Sequence, residues 1–357
     1  MLPNLKIFLK YRTLWLLLGL GILCTFTYGK YANALPLGVH NWAQSDRYSV
    51  AVKYLDNTNF FKVKTHNLST VGGRTGVEFP AIQYISARFS SIISDSHLPF
   101  IYRFINLIIL LAGLFYFVKQ WQSKWHINAL TLLGFFFSPV LFFYAFNFLP
   151  DTAGLGLLLF AFGHFIQFAS KHQIKNAIFT LLFAGLATLL KTTCGIYFLA
   201  LSGTLGLYYL KPLNLKTGLI VLSSFIFISL TIWMYDYYFF HKVNEDFYAR
   251  VFMSKRQPLL TFSDFQGFWK GVQYWHGQYL TWPITIWVLV LMGTSLVYRK
   301  KLIKNRLGVI FLSISSVGLL LFLKIMGMQF INHDYYYITA FMPLLFMWIW
   351  LLTWQLR

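Results

Sequence analysis

His40, Trp42, Gln44, Asp46 and Arg47 place an imidazole, an indole, a carboxamide, a carboxylate and a guanidinium within the eight residues HNWAQSDR. Asp46 is one of only 10 acidic residues set against 30 Lys and Arg, and it comes soon after the first long apolar run. A carboxylate among hydrogen-bonding side chains can take a proton from a hydroxyl or stabilise positive charge developing on a substrate. His40, Trp42, Gln44 and Asp46 recur at every second position, so an extended backbone would put all four on one face. On that reading His40, Trp42 and Gln44 orient the carboxylate or its substrate by hydrogen bonding and stacking. The plainer alternative has Asp46 pairing with Arg47 or capping a following helix.

Other scarce charges fall where chemistry could use them. Glu78 precedes Phe79-Pro80 and Asp151 follows Pro150, and both are candidate catalytic carboxylates. Their structural alternatives are an ion pair for Glu78 and a helix cap for Asp151. Arg103 and Lys191 are cations near the ends of apolar runs, suited to an anionic group or to snorkelling towards head groups. His333, Asp334 and Tyr336 cluster in HDYYYI and are candidates for orienting a substrate. Glu245 and Asp246 read as solvated loop charge. The chain lacks D-x-D, the P-loop pattern, H-E-x-x-H and G-x-S-x-G. Those absences argue against a metal-bound nucleotide sugar in a soluble-type fold, an ATPase, a zincin and a serine hydrolase of the elbow type. Cys24 and Cys194 have no metal-ligand spacing and read as buried small hydrophobes.

The elements that must position these residues are helices in lipid. The chain is 57% hydrophobic, 20% aromatic and 11% charged, where a soluble domain carries roughly 25% charged residues. Apolar runs able to cross a ~30 Å hydrocarbon core recur along it. They fall near 13–29, 101–118, 127–146, 152–170, 176–191, 193–210, 217–240, 281–298, 308–325 and 336–354. The expectation is an all-α polytopic membrane protein of about ten spans, one integral domain over 1–357. With the N-terminus inside, the inner segments hold Lys6, Lys10, Arg12, Lys119, Lys124, Lys171, Lys175, Lys211 and Lys216. Further on they hold Arg299, Lys300, Lys301, Lys304, Arg306 and Arg357, and no acid. The positive-inside rule then puts both termini in the cytoplasm and every acid outside or at an outer span end. The net charge of +20 therefore implies no nucleic-acid partner.

Two outer loops are long, 30–100 and 241–280. In the first, FPAIQYISARFSSII spaces Ile82, Ile85, Phe89 and Ile92/Ile93 by threes and fours, which predicts an amphipathic helix along the outer membrane surface. In the second, FSDFQGFWKGVQYWHGQYL mixes aromatics with Gly and polar residues, suited to covering a lipid-facing cavity or to interfacial anchoring.

The ordered set HxWxQxD (40–46), EFPAIQYI (78–85), Arg103 with Asn106, FSP (137–139), FLPD (148–151), LLKTT (189–193) and HDYYYI (333–338) resembles a known family. It is that of bacterial polytopic glycosyltransferases of the GT-C fold, related to protein O-mannosyltransferases and aminoarabinose transferases. The match covers most of the chain in order and sidedness. It departs at Ala43, where the family often has Arg, and at Arg47, where a small hydroxyl residue is common; Arg47 would supply the missing cation. The resemblance implies a GT-C-like bundle in the plasma (inner) membrane with an extracytoplasmic active site. It implies transfer of a sugar, with inversion, from a polyprenyl-phosphate donor to a glycan, lipid or protein acceptor of the cell envelope. A carboxylate would take the acceptor's proton, in the role of Asp46 with Glu78 and Asp151 as further candidates. Arg103, Lys191 and Arg47 would bind the departing phosphate. No cofactor is required by spacing, and a divalent metal is left open by the family. The rival expectation is a transporter or flippase of a lipid-linked sugar; that class favours broken helices and internal pseudo-symmetry, which the sequence does not display.

Overall fold

The computed structural model describes residues 12–56, 59–66, 70–121, 129, 132–133, 138–209, 215–248, 257–279, 281–297, 300 and 304–354. Among the described residues the only β feature is an isolated antiparallel bridge between Lys64 and Arg74. The helices are α1 (Arg12–Tyr28), α2 (Asn41–Asp56), α3 (Ala81–Ile93), α4 (Leu98–Gln120), α5 (Pro139–Ala145), α6 (Asp151–Lys171) and α7 (Ile174–Leu190). They continue with α8 (Gly195–Tyr209), α9 (Leu215–Met234), α10 (Phe262–Tyr279), α11 (Trp282–Val297), α12 (Arg306–Met326), α13 (Tyr336–Ala340) and α14 (Met342–Trp354).

Among the described residues six helical runs are long and apolar enough to cross a membrane: Arg12–Tyr31, Asp95–Gln120, Asp151–Lys171, Leu215–Asp246, Arg306–Ile331 and Tyr336–Thr353. The chain is an all-α, multi-pass membrane protein. The expected ten spans are not all of that length. α7 has 17 residues, at the short end of what a crossing takes, while α8 and α11 run up to residues outside the described set. The expected span 127–146 lies partly outside the described residues, and α5 is its longest described helical stretch. Lys6, Lys10, Lys124, Lys211, Arg299, Lys301 and Arg357 also lie outside them.

The bundle centres on α6, which packs against α4 on one side and α7 on the other. Glycines set the closest approach. A Cβ on Gly113 of α4 would come 2.1 Å from the carbonyl oxygen of Gly156 in α6, and one on Gly156 would come 2.5 Å from that of Ile109. Small residues at such a crossing let two backbones touch, which supplies the dispersion that lipid-embedded helices depend on. α9 buries only Val221, so its apolar surface faces outward as a lipid-facing helix does.

The segment 30–100 is not a loose loop. A second cluster of buried residues, including Val50, Tyr54, Val77, Ile82, Tyr102 and Phe148, welds α2 and α3 to α4 and to the start of α6. The Arg88 guanidinium donates to the carbonyl of Tyr54, and the Phe79 amide donates to Leu189 O at 3.0 Å. The amphipathic helix α3 is present, with one correction. Ile82 turns inward with Gln83, Ser86, Ala87 and Ser90, whereas Ile85, Phe89, Ile92 and Ile93 are exposed. The small polar face meets the protein, and the apolar stripe is left for lipid.

Candidate active site

The peptide around Asp46 is helical rather than extended. His40 sits in the left-handed region (φ 52°) and turns the chain into α2. At about 100° per residue the every-second-residue face does not exist, and positions four apart align instead. Trp42 and Asp46 therefore share a face, while Gln44 is buried and donates to Val39 O at 2.7 Å and Leu37 O at 3.2 Å. Gln44 thus ties down the turn before α2, and does not orient a ligand.

That face of α2 looks into a cavity of about 540 Å³. Residues far apart in sequence line it: Trp42, Asp46 and Arg47 from α2, Glu78 ahead of α3, Asp151 from the first turn of α6, Lys191 to Thr193 from the α7–α8 junction, and His333, Tyr335 and Tyr336. Most of the residues expected to do chemistry therefore meet in one place. Asp236, His241, Gln257 and Gln329 also line it and were not anticipated. Asp236 and His241 lie in a π-helical segment, Tyr235–Lys242, that continues α9, and their side chains meet at 3.2 Å. Such a segment often marks a functional site, but hydropathy along a single sequence carries no signal for it.

Local packing explains the convergence. The carboxamide of Asn106, buried in α4, donates to Asn147 O at 2.7 Å and Leu149 O at 3.2 Å, fixing the chain just ahead of Asp151. The helix cap at α6 is Pro150 rather than Asp151, so the Asp151 side chain is left for another partner. That partner is Lys191, whose Nζ lies 3.3 Å from Oδ1. Lys191 has extended backbone (φ −149°, ψ 111°) where α7 breaks, and its ammonium lies over the Tyr335 and Tyr336 rings at 5.2 and 5.1 Å. Arg47 Nη2 donates to Glu78 Oε2 at 2.6 Å. Asp334 does not line the cavity but braces its wall: Oδ1 accepts from the Tyr144 hydroxyl at 2.9 Å and lies 3.0 Å from His40 Nε2. His40 stacks on His333, with centroids 6.0 Å apart.

Arg103 is elsewhere. Its Nη1 donates to Ala32 O at 2.6 Å and Ala34 O at 2.8 Å, and its guanidinium lies over the Phe148 ring at 4.1 Å. It holds the chain that follows α1 and is not part of the cavity lining, contrary to the expected phosphate contact.

The electrostatics separate the carboxylates. Asp151 has Lys191, Glu78 has Arg47 and Asp236 has His241. The Asp46 carboxylate has no hydrogen bond or ion pair among the described residues. Partial burial pushes it up to about 6 from its ordinary 3.8, with Arg47 pulling back only in part. Burial would also raise Glu78, but Lys191, Arg47 and the Thr192 hydrogen bonds outweigh it and hold the carboxyl below its usual range. The Lys191 ammonium lies 3.3 Å from the Asp151 carboxylate, which compensates its charge. The result is that Asp46 can exchange a proton near neutrality while Glu78 beside it stays ionised.

Among the described residues no group of three or more His, Cys, Asp or Glu is placed to hold a metal ion. Glu78, Asp151 and Asp236 are instead engaged with Arg47, Lys191 and His241, which leaves Asp46 as a lone carboxylate, a donor set that does not fit a metal. Both cysteines are buried thiols, as expected. A smaller groove of about 390 Å³ adjoins the cavity and shares Glu78, Thr192, Asp236 and Phe240 with it. Its other walls are mainly apolar residues of α7, α8 and α9, and Leu199 and Trp233 at its edge are exposed. No family model, curated protein or solved structure matches this chain.

Proposed function

We propose that the chain is a membrane glycosyltransferase of GT-C type, built as a bundle of about ten spans. It takes a sugar from a polyprenyl-phosphate donor and passes it to a cell-envelope acceptor on the extracytoplasmic face. The observation that carries the reading is the junction of the polar cavity with the apolar groove. A sugar linked through phosphate to a prenyl chain needs both environments side by side, with the phosphate at the seam.

The groups present suit that chemistry. The prenyl chain lies in the groove between α7, α8 and α9, and the sugar occupies the cavity beneath Trp42. Lys191 meets the phosphate with N–H donors beyond the one turned to Asp151. An acceptor hydroxyl oxygen attacks the anomeric carbon from the side opposite the phosphate. The bond from that carbon to the phosphate oxygen breaks, and its electron pair leaves with polyprenyl phosphate. Asp46 takes the hydroxyl proton, and the single displacement from the opposite face inverts the anomeric carbon. Glu78 and Asp151 are positioning residues in this account: they fix Arg47 and Lys191.

The test uses the purified full chain in lipid vesicles, a radiolabelled polyprenyl-phosphate sugar and a pool of envelope acceptors. The reading expects free polyprenyl phosphate to be released as label moves to acceptor. Movement of intact donor between leaflets with no release would overturn it in favour of a flippase.

A further inference from the structure

We infer that the end of the bundle opposite the Asp46 cavity carries a second binding site, for the phosphate-bearing headgroup of an anionic lipid. A cavity of about 430 Å³ opens there between the last turns of α6 and α8, the first turn of α12 and the α14 residue Trp350. The two cavities lie at opposite ends of the same helix. α6 begins with Asp151 in one and ends beside the other, and its 21 residues span about 31 Å. This inference does not depend on the proposed transfer reaction.

The chemistry of the walls is that of a phosphate ester site. Lys304 and Arg306 both contribute to the lining, and among the described residues no carboxylate does. His172 is stacked on Tyr208 with the rings 6° from parallel, and the Tyr208 hydroxyl lies 3.1 Å from Nδ1. With the hydroxyl donating, the ring proton sits on Nε2, leaving a further donor. Trp350 supplies an independent sign. It is only 2% exposed, and its indole N–H has no hydrogen-bond partner among the described residues. A buried donor without an acceptor is costly unless a ligand supplies one. The site also lies at the N-terminal end of α12, where Asn305 Oδ1 accepts from the Gly308 amide and the helix dipole favours negative charge.

The same walls argue for a lipid rather than free phosphate. Leu207, Leu307 and Ile310 line the cavity beside the cations, so an acyl chain would have an apolar path where the headgroup is held. Basic pockets between spans are a recognised way of holding anionic headgroups.

The experiment is native mass spectrometry of the full chain with phosphatidylglycerol and phosphatidylcholine in competition. Phosphatidylglycerol should be retained selectively. The double variant Lys304→Gln/Arg306→Gln, at exposed positions, should weaken its retention about tenfold or more, and Trp350→Phe should weaken it several-fold. The control Lys242→Gln/Lys270→Gln removes equal charge elsewhere and should leave retention unchanged. Excess inorganic phosphate should not displace the lipid. Equal retention of the two lipids, an equal loss in the control, or an unchanged Lys304/Arg306 variant would each overturn the site. Displacement by inorganic phosphate would overturn its assignment to a lipid.

Discussion

Asp46 differs from the other cavity carboxylates in having no charge partner of its own, and that difference yields two measurable signs. Its carboxyl is raised to about 6, so the ionised form that accepts a proton accumulates as pH rises through that value. The turnover rate should climb over the same range. Asp46→Asn should remove that limb and lower turnover by roughly 10²–10⁴-fold, the usual contribution of a general base, while donor still binds. Near-wild-type turnover in the variant would reduce Asp46 to a structural residue. Stability should move the other way. The folded-state pKa lies above the ordinary 3.8, so the folded state binds the proton more tightly. The associated stabilisation is complete below that value and is lost as pH rises through about 6. Asp46→Asn should therefore raise the melting temperature well above pH 6 and leave it nearly unchanged in acid, a comparison that thermal unfolding at two pH values makes. Lys191 and Arg103 should also part company. Lys191→Ala should weaken donor binding by about 1.5–3 kcal/mol, the value of a charge-assisted bond. Arg103→Ala, which loses two backbone acceptors and its place over Phe148, should lower stability with KM for donor unchanged. The sequence displayed both cations at span ends, but nothing in it told which would be consumed by backbone carbonyls. That depends on where residues 32–34 come to rest.

At the scale of elements, apolar periodicity was the legible part and backbone state the illegible part. The long apolar runs and the amphipathic α3 follow from hydrophobic spacing. The alternation His40, Trp42, Gln44, Asp46 suggested a strand because polar residues read equally well at a period of two. The buried Val50, Ala51 and Tyr54 further along α2 are what settle it as a helix, packed chiefly on α3. The π-helical Tyr235–Lys242 was illegible for a different reason. Asn244 pins its end to the first loop, accepting from the Gly76 amide at 2.8 Å and donating to Gly76 O at 3.0 Å, a contact 168 residues apart in sequence. The glycine crossing of α4 and α6 carries the element-scale prediction. Gly113→Ala would push a methyl group into the Gly156 carbonyl. The helices would have to separate, and overpacking of this kind typically costs about 1–3 kcal/mol. Since α6 delivers Asp151 to the cavity, the loss should appear in both thermal stability and turnover. Gly206→Ala is the control, because nothing lies within 4 Å of the Cβ it would add. Equal behaviour of the two variants would show that the crossing has slack.

For the whole molecule, the distribution of charge decides orientation. The bundle has two unlike ends about 30 Å apart, matching the hydrocarbon thickness of a bilayer. At one end lie Asp46, Glu78, Asp151 and Asp236 in the polar cavity; at the other lie Lys171 and Lys175, and Lys304 and Arg306 line a cavity with no carboxylate among its described residues. Lys and Arg in short loops are retained on the cytoplasmic side, whereas Asp and Glu contribute little to topology. The proposed orientation follows from that rule: the basic end in the cytoplasm and the Asp46 cavity opening outward. Cysteine accessibility tests this without disturbing either cavity. Cys24 and Cys194 are buried and should stay silent. Ser45→Cys, exposed beside Asp46, should react with an impermeant maleimide in intact cells. Gln173→Cys, exposed in the turn between α6 and α7, should react only after permeabilisation. The reverse pattern would place the cavity in the cytoplasm, out of reach of an envelope acceptor, and the proposed transfer reaction would fall with the topology.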